Sequence, residues 1–315
     1  MSTEVPAGSA VTVAISDEHA RKFSEDGFVI VDRIIDPGLA DEVAARYEEL
    51  FAGKFETGLL PDEWNWKPGR DPADRTRQIC NAWKSDRLIA SVVLDPAIGR
   101  ACAALGGWDG TRLSQDNVLW KPPGAKALGY HQDSSYELWA DPPDWVSCWI
   151  ALDDTTAEGG TVEYVRGSHA WRRWGMIEQF HAPADYKKEL ADAAADAGVA
   201  EPEIVKIVVP RGGGVFHNGW TWHGSGVNHS DRPRRSLVAH CMQARTKFHP
   251  TITGAIYGRY KRFGDLTMDE SFFPVTWRDG AEPSKFIGPY LAGTIGWAGE
   301  PSGGTASLAP SNQVQ

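Results

Sequence analysis

Apolar residues recur along this chain with two periods, helical near its beginning and strand-like from its middle onward. Ser16 can cap a helix whose first turn holds Asp17 and Glu18, where the helix dipole favours negative charge, and Gly27 is placed to end it. Residues 28–35 then read as a strand rich in β-branched side chains. Asp36-Pro37 opens a second helix, whose stripe of Leu39, Val43, Tyr47 and Leu50 runs up to Gly53. Residues 55–77, with Trp64, Trp66, Pro61, Pro68 and Pro72, read as loop. Helical character returns over 86–105 and is divided at Asp95-Pro96.

Further on, the period changes to two. Residues 112–120 alternate as a strand, and 121–127 form a Pro/Gly loop. In 145–153, Val146, Cys148, Ile150 and Leu152 share one side while Ser147, Trp149 and Ala151 share the other. More strands are expected over 161–166, 204–209, 213–217 and 237–243. An insertion at 171–202 interrupts them, and its Ala-, Lys- and Asp-rich part, 183–197, reads as a surface helix. Helices followed by many short antiparallel strands predict an α+β fold with a double-sheet jelly-roll core, flanking N-terminal helices and a ligand cavity at its mouth. We expect a loose arm over 1–14, one domain over 15–300 and a disordered tail over 301–315, where Gly, Ser, Pro and Ala dominate.

A formal net charge of −10 leaves no basic excess to neutralise phosphates, which argues against a nucleic-acid partner and suits a neutral or cationic small-molecule substrate. The four cysteines, Cys80, Cys102, Cys148 and Cys241, are scattered without a Cys-x-x-Cys pair. That disfavours a zinc ribbon or disulfide framework and points to a reducing cytoplasm. The N-terminus lacks a basic region followed by an apolar run, and no apolar stretch approaches membrane-spanning length, so no membrane partner is expected. Oligomeric state has no signature in the sequence.

The candidate chemistry centres on His131-Gln132-Asp133. Residues at i and i+2 of an extended strand project from one face, so His131 and Asp133 could grip one ion. A second His from elsewhere would complete the two-His, one-carboxylate set that leaves iron positions open. By itself a His-x-Asp match is equally a hydrogen-bonded structural pair. Of the other histidines, His19 belongs to the first helix, and His169 and His181 read as surface or loop. The Gly-rich passage 212–226 carries both His217 and His223, and its glycines permit close backbone approach to a ligand. Eleven positions after His223 stands Arg234. If the chain turns through 228–233 and returns as a strand, Arg234 comes back beside the metal with Ser236 on the same face, able to hold a carboxylate bidentately.

Taken together, His131-Gln132-Asp133, Trp149-Ile150-Ala151-Leu152-Asp153, Gly167-Ser168-His169, Trp222-His223-Gly224-Ser225-Gly226-Val227-Asn228 and Arg234-x-Ser236 resemble the phytanoyl-CoA dioxygenase family. The similarity spans about 112–243, and Asp26-Gly27-Phe28-Val29 resembles the family's opening. The resemblance implies a double-stranded β-helix core and an oxygenase using Fe(II), 2-oxoglutarate and O2. It implies His131, Asp133 and His223 as iron ligands and Arg234 as partner of the distal carboxylate of 2-oxoglutarate. Gln115 and Asn117 fall where members line the cosubstrate site, with Trp149, Thr161 and Ser236 as further wall candidates. His217 is expected behind the metal and His229 on a surface loop. Oxidative decarboxylation would release succinate and CO2, with hydroxylation as the default outcome. Asp133 excludes the halogenase variant, which has a small residue there.

For the substrate, the acids and aromatics of 136–144 suggest a lid over a small polar, amine-bearing natural product. An acyl-CoA hydroxylase is the alternative, with Lys84, Arg87, Arg259, Lys261 and Arg262 as a phosphate patch. Trp64, Trp66, Trp83, Trp139 and Trp220 could cover a core or line a pocket. A non-catalytic binding protein and a zinc hydrolase are the rivals from other classes.

Overall fold

Ser16 and His19 close a reciprocal capping box on α1 (Asp17–Asp26), the Ser16 hydroxyl accepting from the His19 N–H at 3.2 Å, and Gly27 ends the helix at φ 82°. The computed structural model describes residues 10–295. Of the expected loose arm, the described residues are tied down: Val11, Val13 and Ile15 alternate into the core. The Thr12 N–H donates to the Ile34 carbonyl, and the Asp36 N–H to that of Ala10, each at 2.8 Å. Residues 1–9 and the tail expected over 301–315 lie outside the described residues. β1 (Phe28–Val31) is shorter than 28–35 because the N–H groups of Ile34 and Ile35 both turn to the Gly212 carbonyl.

After α2 (Pro37–Phe51), the expected loop contains β2 (Glu63–Trp64) and runs into β3 (Arg77–Cys80). α3 (Arg87–Val93) and α4 (Pro96–Gly106) break at Asp95, whose carboxylate caps α4. Taken together, Arg87–Gly106 are long and apolar enough to cross a membrane by length and composition. This corrects the reading that no stretch approaches that length. Here the segment is two helices, with 56% of its most apolar window buried inside the protein.

The strands follow: β4 (Gly110–Lys121), β5 (Leu128–His131), β6 (Ala140–Asp141), β7 (Trp145–Ala151) and β8 (Val162–Val165). α5 (Lys188–Asp196) precedes β9 (Ile204–Lys206), β10 (Gly214–Asn218), β11 (His223–Ser225), β12 (Arg234–Gln243), β13 (Lys247–Phe248), β14 (Val275–Arg278) and α6 (Ile287–Leu291). The larger sheet runs β1-β10-β7-β12-β4-β3-β2 with β14 on β4, and the smaller runs β5-β11-β8-β9. The pairings are antiparallel. Side chains from both sheets meet in one apolar cluster, including Trp149, Val215 and Val238 from the larger and Val162 and Tyr164 from the smaller. This is the jelly-roll, α+β architecture.

Strand parity divides the larger sheet into two chemistries. Ile79, Val118, Cys148, Ile150, Phe216, Leu237 and Ala239 face the helices in the main core, each worth about 1.5–3 kcal/mol for a large aliphatic side chain removed from water. The alternate positions face the smaller sheet, and antiparallel register aligns them in rows. His217, Ser147, His240 and Gln115 form one row, and Trp149, Val238 and Asn117 the next. Ser236 and Leu119 follow, and Arg234 lies opposite Lys121 at the strand ends.

Asp116, on the helix-facing side, is fully buried, and its carboxylate accepts from the N–H groups of Ala82 and Trp83 at 3.1 and 2.9 Å. Asp116→Ala would strand both donors, so we expect a stability loss of about 2–4 kcal/mol in urea titration. Burial pushes this carboxyl up to about 7 despite those bonds. A raised folded value means the stabilising contribution is complete below the unfolded value of about 4 and is lost as pH rises through 7. Asp116→Asn should remove that part of the pH slope.

Candidate metal and cosubstrate site

The β5–β11 register places His223 directly opposite His131, with ring centroids 4.2 Å apart. Asp133 opens a tight 3-10 turn immediately beyond β5 and brings its carboxylate between them. Its Oδ1 lies 3.3 Å from His131 Nε2 and 3.4 Å from His223 Nε2, and one ligand atom from each of the three residues falls within 4.8 Å of the others. Each imidazole donates Nδ1–H to a backbone carbonyl, His131 to Gly129 at 2.9 Å and His223 to Thr221 at 3.0 Å. That leaves both Nε2 lone pairs aimed at the shared space. Two imidazole nitrogens and one carboxylate on one side fit Fe(II) with positions left over.

The second oxygen of Asp133 is held from behind. Oδ2 receives the Ser147 hydroxyl at 3.1 Å and lies 2.9 Å from His217 Nε2. His217 Nδ1 is bonded to the Tyr164 hydroxyl at 2.9 Å. Ser147 also bonds His240 Nδ1 at 2.7 Å, and His240 Nε2 meets the Asn117 amide at 2.9 Å. Burial works against a charged Asp133, but the His223 and His240 rings and the hydrogen bonds from His131 and His217 outweigh it and hold the carboxyl well below the usual range. Burial also lowers His240 to about 4, so it is neutral at physiological pH. Ser147, Tyr164 and His240 are participants that sequence reading missed. For Ser147 and His240 the available signal was parity, since they share a strand face with Trp149 and Val238. His217→Leu would release one oxygen of Asp133 while leaving the three donors intact; we expect Fe(II) affinity to fall about 10–100-fold in anaerobic titration.

Arg234 is 4% exposed and forms no ion pair within 4 Å among the described residues. Its Nη1 donates to Ser236 Oγ at 3.0 Å and its Nη2 to the Gly160 carbonyl at 3.1 Å, while Nε is buried without a partner. Burial lowers it only to about 10, so it stays protonated, and it lies 5.8 Å from the Trp149 ring. Beside it the fully buried Lys121 donates to Ser225 Oγ at 2.6 Å and to the Gly226 carbonyl, fixing the end of β11.

One cavity is bordered by His131, Asp133, His223, Arg234, Asn117 and Trp149, and also by Gln78, Phe180 and Ser225. Gln115, Thr161 and Ser236 turn to protein partners. The Gln115 amide donates to Asn117 and accepts from the Tyr257 hydroxyl, Thr161 donates to the Ile207 carbonyl at 2.7 Å, and Ser236 accepts from Arg234. His229 is exposed. The glycines at 212–214 serve packing: a Cβ on Gly212, Gly213 or Gly214 would meet the backbone of Ile35, Asp32 or Trp149 within 2.7 Å. Trp66 and Trp83 belong to the main core, and Trp139 to a separate cluster with Phe248, Tyr257 and Phe273. The indole N–H of Trp220 donates to Asp144 at 3.2 Å.

Residues 23–236 match the family described as phytanoyl-CoA dioxygenase (PhyH). The chain belongs to that family. Within it, the ectoine dioxygenase of Nocardia farcinica (strain IFM 10152) is 26% identical over 240 residues, 71% of this chain and 76% of the relative. Phytanoyl-CoA dioxygenase domain-containing protein 1 of Mus musculus is 27% identical over 192 residues, 60% of this chain, and the match spans 64% of the mouse protein's length. Among solved structures, the non-heme alpha ketoglutarate dependent carbocyclase SnoK of nogalamycin biosynthesis superposes with a TM-score of 0.65 and 26% identity, covering 83% of this chain and 96% of that one. As a member of this family, the chain is a non-haem iron, 2-oxoglutarate-dependent dioxygenase, and its cofactors are iron, 2-oxoglutarate and O2.

In this family member the insertion packs on β5 beside the candidate metal ligand His131. The Gly129 N–H donates to the Phe180 carbonyl, that of Tyr130 to Tyr186 and that of Ala182 to Ala127, while the Trp174 N–H reaches the Gln132 side chain. Gly129 has no side chain where a Cβ would meet Ile177 at 2.9 Å. The Phe180 ring stands edge-on to His131 at 4.8 Å. The surface helix expected over 183–197 is α5, and its Leu190 and Ala193 pack with Tyr130, Val165 and Trp222.

Proposed function

We propose that this chain hydroxylates a small polar natural product in the cytoplasm, consuming 2-oxoglutarate and O2 and releasing succinate and CO2. The observation that carries the reading is a two-His, one-carboxylate set sharing a cavity with a buried, protonated arginine that forms no ion pair within 4 Å among the described residues. Iron, when bound, supplies the redox chemistry of O2 activation. His131, Asp133 and His223 would hold it. Arg234, with Nε still unpartnered, would receive the distal carboxylate of 2-oxoglutarate, and Trp149 would flank that group. Phe180 would exclude water from the face of His131. The Asp133 carboxylate occupies the place chloride would need, which supports hydroxylation over halogenation.

The small-molecule class is favoured over an acyl-CoA because the cations of the candidate phosphate patch are occupied. Lys84 and Arg259 pair with Asp62, Arg87 with Glu56 and Arg262 with Asp269, while Lys261 donates to the His249 and Pro250 carbonyls. An amine on the substrate has the exposed Asp141 to meet; Asp144 is already held by Trp220 and Arg173, and burial pushes the Glu137 carboxyl well above its usual range, which favours the neutral acid. Buried cysteines, all free, support the cytoplasmic setting. The test is anaerobic Fe(II) titration with 2-oxoglutarate. The weak visible band of the iron–keto acid chelate is expected, followed by O2-dependent loss of 2-oxoglutarate. Bound metal without that band would overturn the reading in favour of a zinc hydrolase or a binding protein.

A further inference from the structure

A second cavity of about 250 Å³ adjoins the metal cavity, the two sharing Leu128 as a wall. Phe180 lines the metal cavity, and its ring lies 4.8 Å from the His131 ring and 4.8 Å from the ring of His181, which lines the second cavity. The floor of this annex is apolar, made by Leu128 and Ala127, but two polar atoms of its wall lack partners among the described residues. Thr76 is 4% exposed with its hydroxyl buried and unbonded, and His181 Nδ1 is likewise buried and unbonded. Two cations line the same cavity. Arg75 spends one nitrogen on Asp71 at 3.3 Å and keeps its remaining donors, and Lys126 is exposed at the rim. Asp74, exposed, is the carboxylate among the lining residues, and with Asp71 ion-paired to Arg75 the two cations are balanced, so an anion here is held by unused donors on Arg75 and by Lys126 at the rim, not by net charge. Ala182 holds φ 52°, a left-handed conformation that L residues seldom adopt, and its N–H is bonded to the Ala127 carbonyl at 3.0 Å. The chain thus accepts strain to keep His181 at this wall.

Hydroxyl and imidazole groups left unbonded in a buried wall cost free energy unless a ligand or water meets them, and paired with two cations they select for an acceptor-rich anion. Resting on the oxygenase reading above, we propose that the annex binds an anionic group, a carboxylate or a phosphate, at the end of the substrate remote from the oxidised carbon. Arg75 and Lys126 supply the cationic donors, Thr76 and His181 further hydrogen bonds, and Leu128 the wall that the annex shares with the metal cavity. Phe180 is then a specificity-determining residue: its ring lies against both His131 of the metal cavity and His181 of the annex.

The experiment measures calorimetric binding of octanoate, octyl phosphate and octylamine to the metal-free chain, in the wild type and in Arg75→Ala/Lys126→Ala. Separately, the visible chelate band with Fe(II) and 2-oxoglutarate is recorded for both proteins. The band tests the oxygenase reading and needs no probe, so the two ideas fail independently. One of the two anions should bind about tenfold or more tightly than octylamine, and the double variant should lose that preference while keeping its band. The better of octanoate and octyl phosphate identifies the anion. In Arg75→Glu/Lys126→Glu the preference should pass to octylamine. Equal or tighter binding of the amine by the wild type, or an unchanged preference in the Ala variant, would overturn the proposal.

Discussion

His223→Ala should abolish the iron–2-oxoglutarate chelate band and bring 2-oxoglutarate consumption below detection, the largest effect expected of any single substitution in this chain. The reason is geometric. His223 contributes one of the three donors, and its Nε2 lies 3.4 Å from the Asp133 oxygen that would share the ion. Its removal leaves His131 and Asp133, one strand end and one turn, with no donor from β11 to close the site. The variant should remain folded, because the β11 backbone pairing with β5 and β8 does not depend on the imidazole. Near-native circular dichroism with no band is the expected combination. A band of wild-type intensity in His223→Ala would move the second imidazole elsewhere, with His217 the next candidate.

Arg234→Ala should spare iron binding and weaken 2-oxoglutarate. Truncating one partner of a buried charge pair costs about 2–5 kcal/mol, which corresponds to a rise in apparent KM for 2-oxoglutarate of about 30-fold to several thousand-fold. Arg234→Lys should recover only part of this, because an ammonium keeps the charge but lacks the planar fork that now bonds Ser236 and Gly160. The measurement is 2-oxoglutarate dependence of turnover at saturating iron, with anaerobic Fe(II) binding as the control. Equal losses in iron affinity and in 2-oxoglutarate affinity would show that Arg234 supports the fold instead of the cosubstrate. Lys121 sharpens the contrast, since its ammonium is committed to Ser225 and Gly226 and cannot replace the lost guanidinium.

Several parts of this architecture were legible in the chain because local chemistry determines them. The cap at Ser16, the stop at Gly27, the proline opening α2 and the break at Asp95-Pro96 are short-range events, and each stands where the residues put it. The alternation in 145–153 separated Cys148 and Ile150 from Ser147 and Trp149, and the former pack on the helices while the latter face the smaller sheet. Less legible were β2 and β3, too short to show a period, and the arm, where Val11, Val13 and Ile15 look unremarkable until Ile34 and Gly212 provide the groove they enter.

The chain alone carries the set of parts: a His-x-Asp pair, a His and an Arg eleven residues apart, and, in the longer strands such as 145–153, a parity that sorts side chains between two faces. Those depend on spacing within one element, which the 3.3 Å rise and alternating faces of a strand convert directly into direction. Which parts meet was decided only by tertiary structure. Strand register brings His217, Ser147 and His240 into one row behind Asp133, although they lie far apart in the chain. The insertion likewise reaches the candidate metal site because β5 leaves N–H groups for it to bond, which sets Phe180 against His131. Pairing between strands is a long-range choice, made by the burial of whole faces, and no local pattern in the chain encodes its partners.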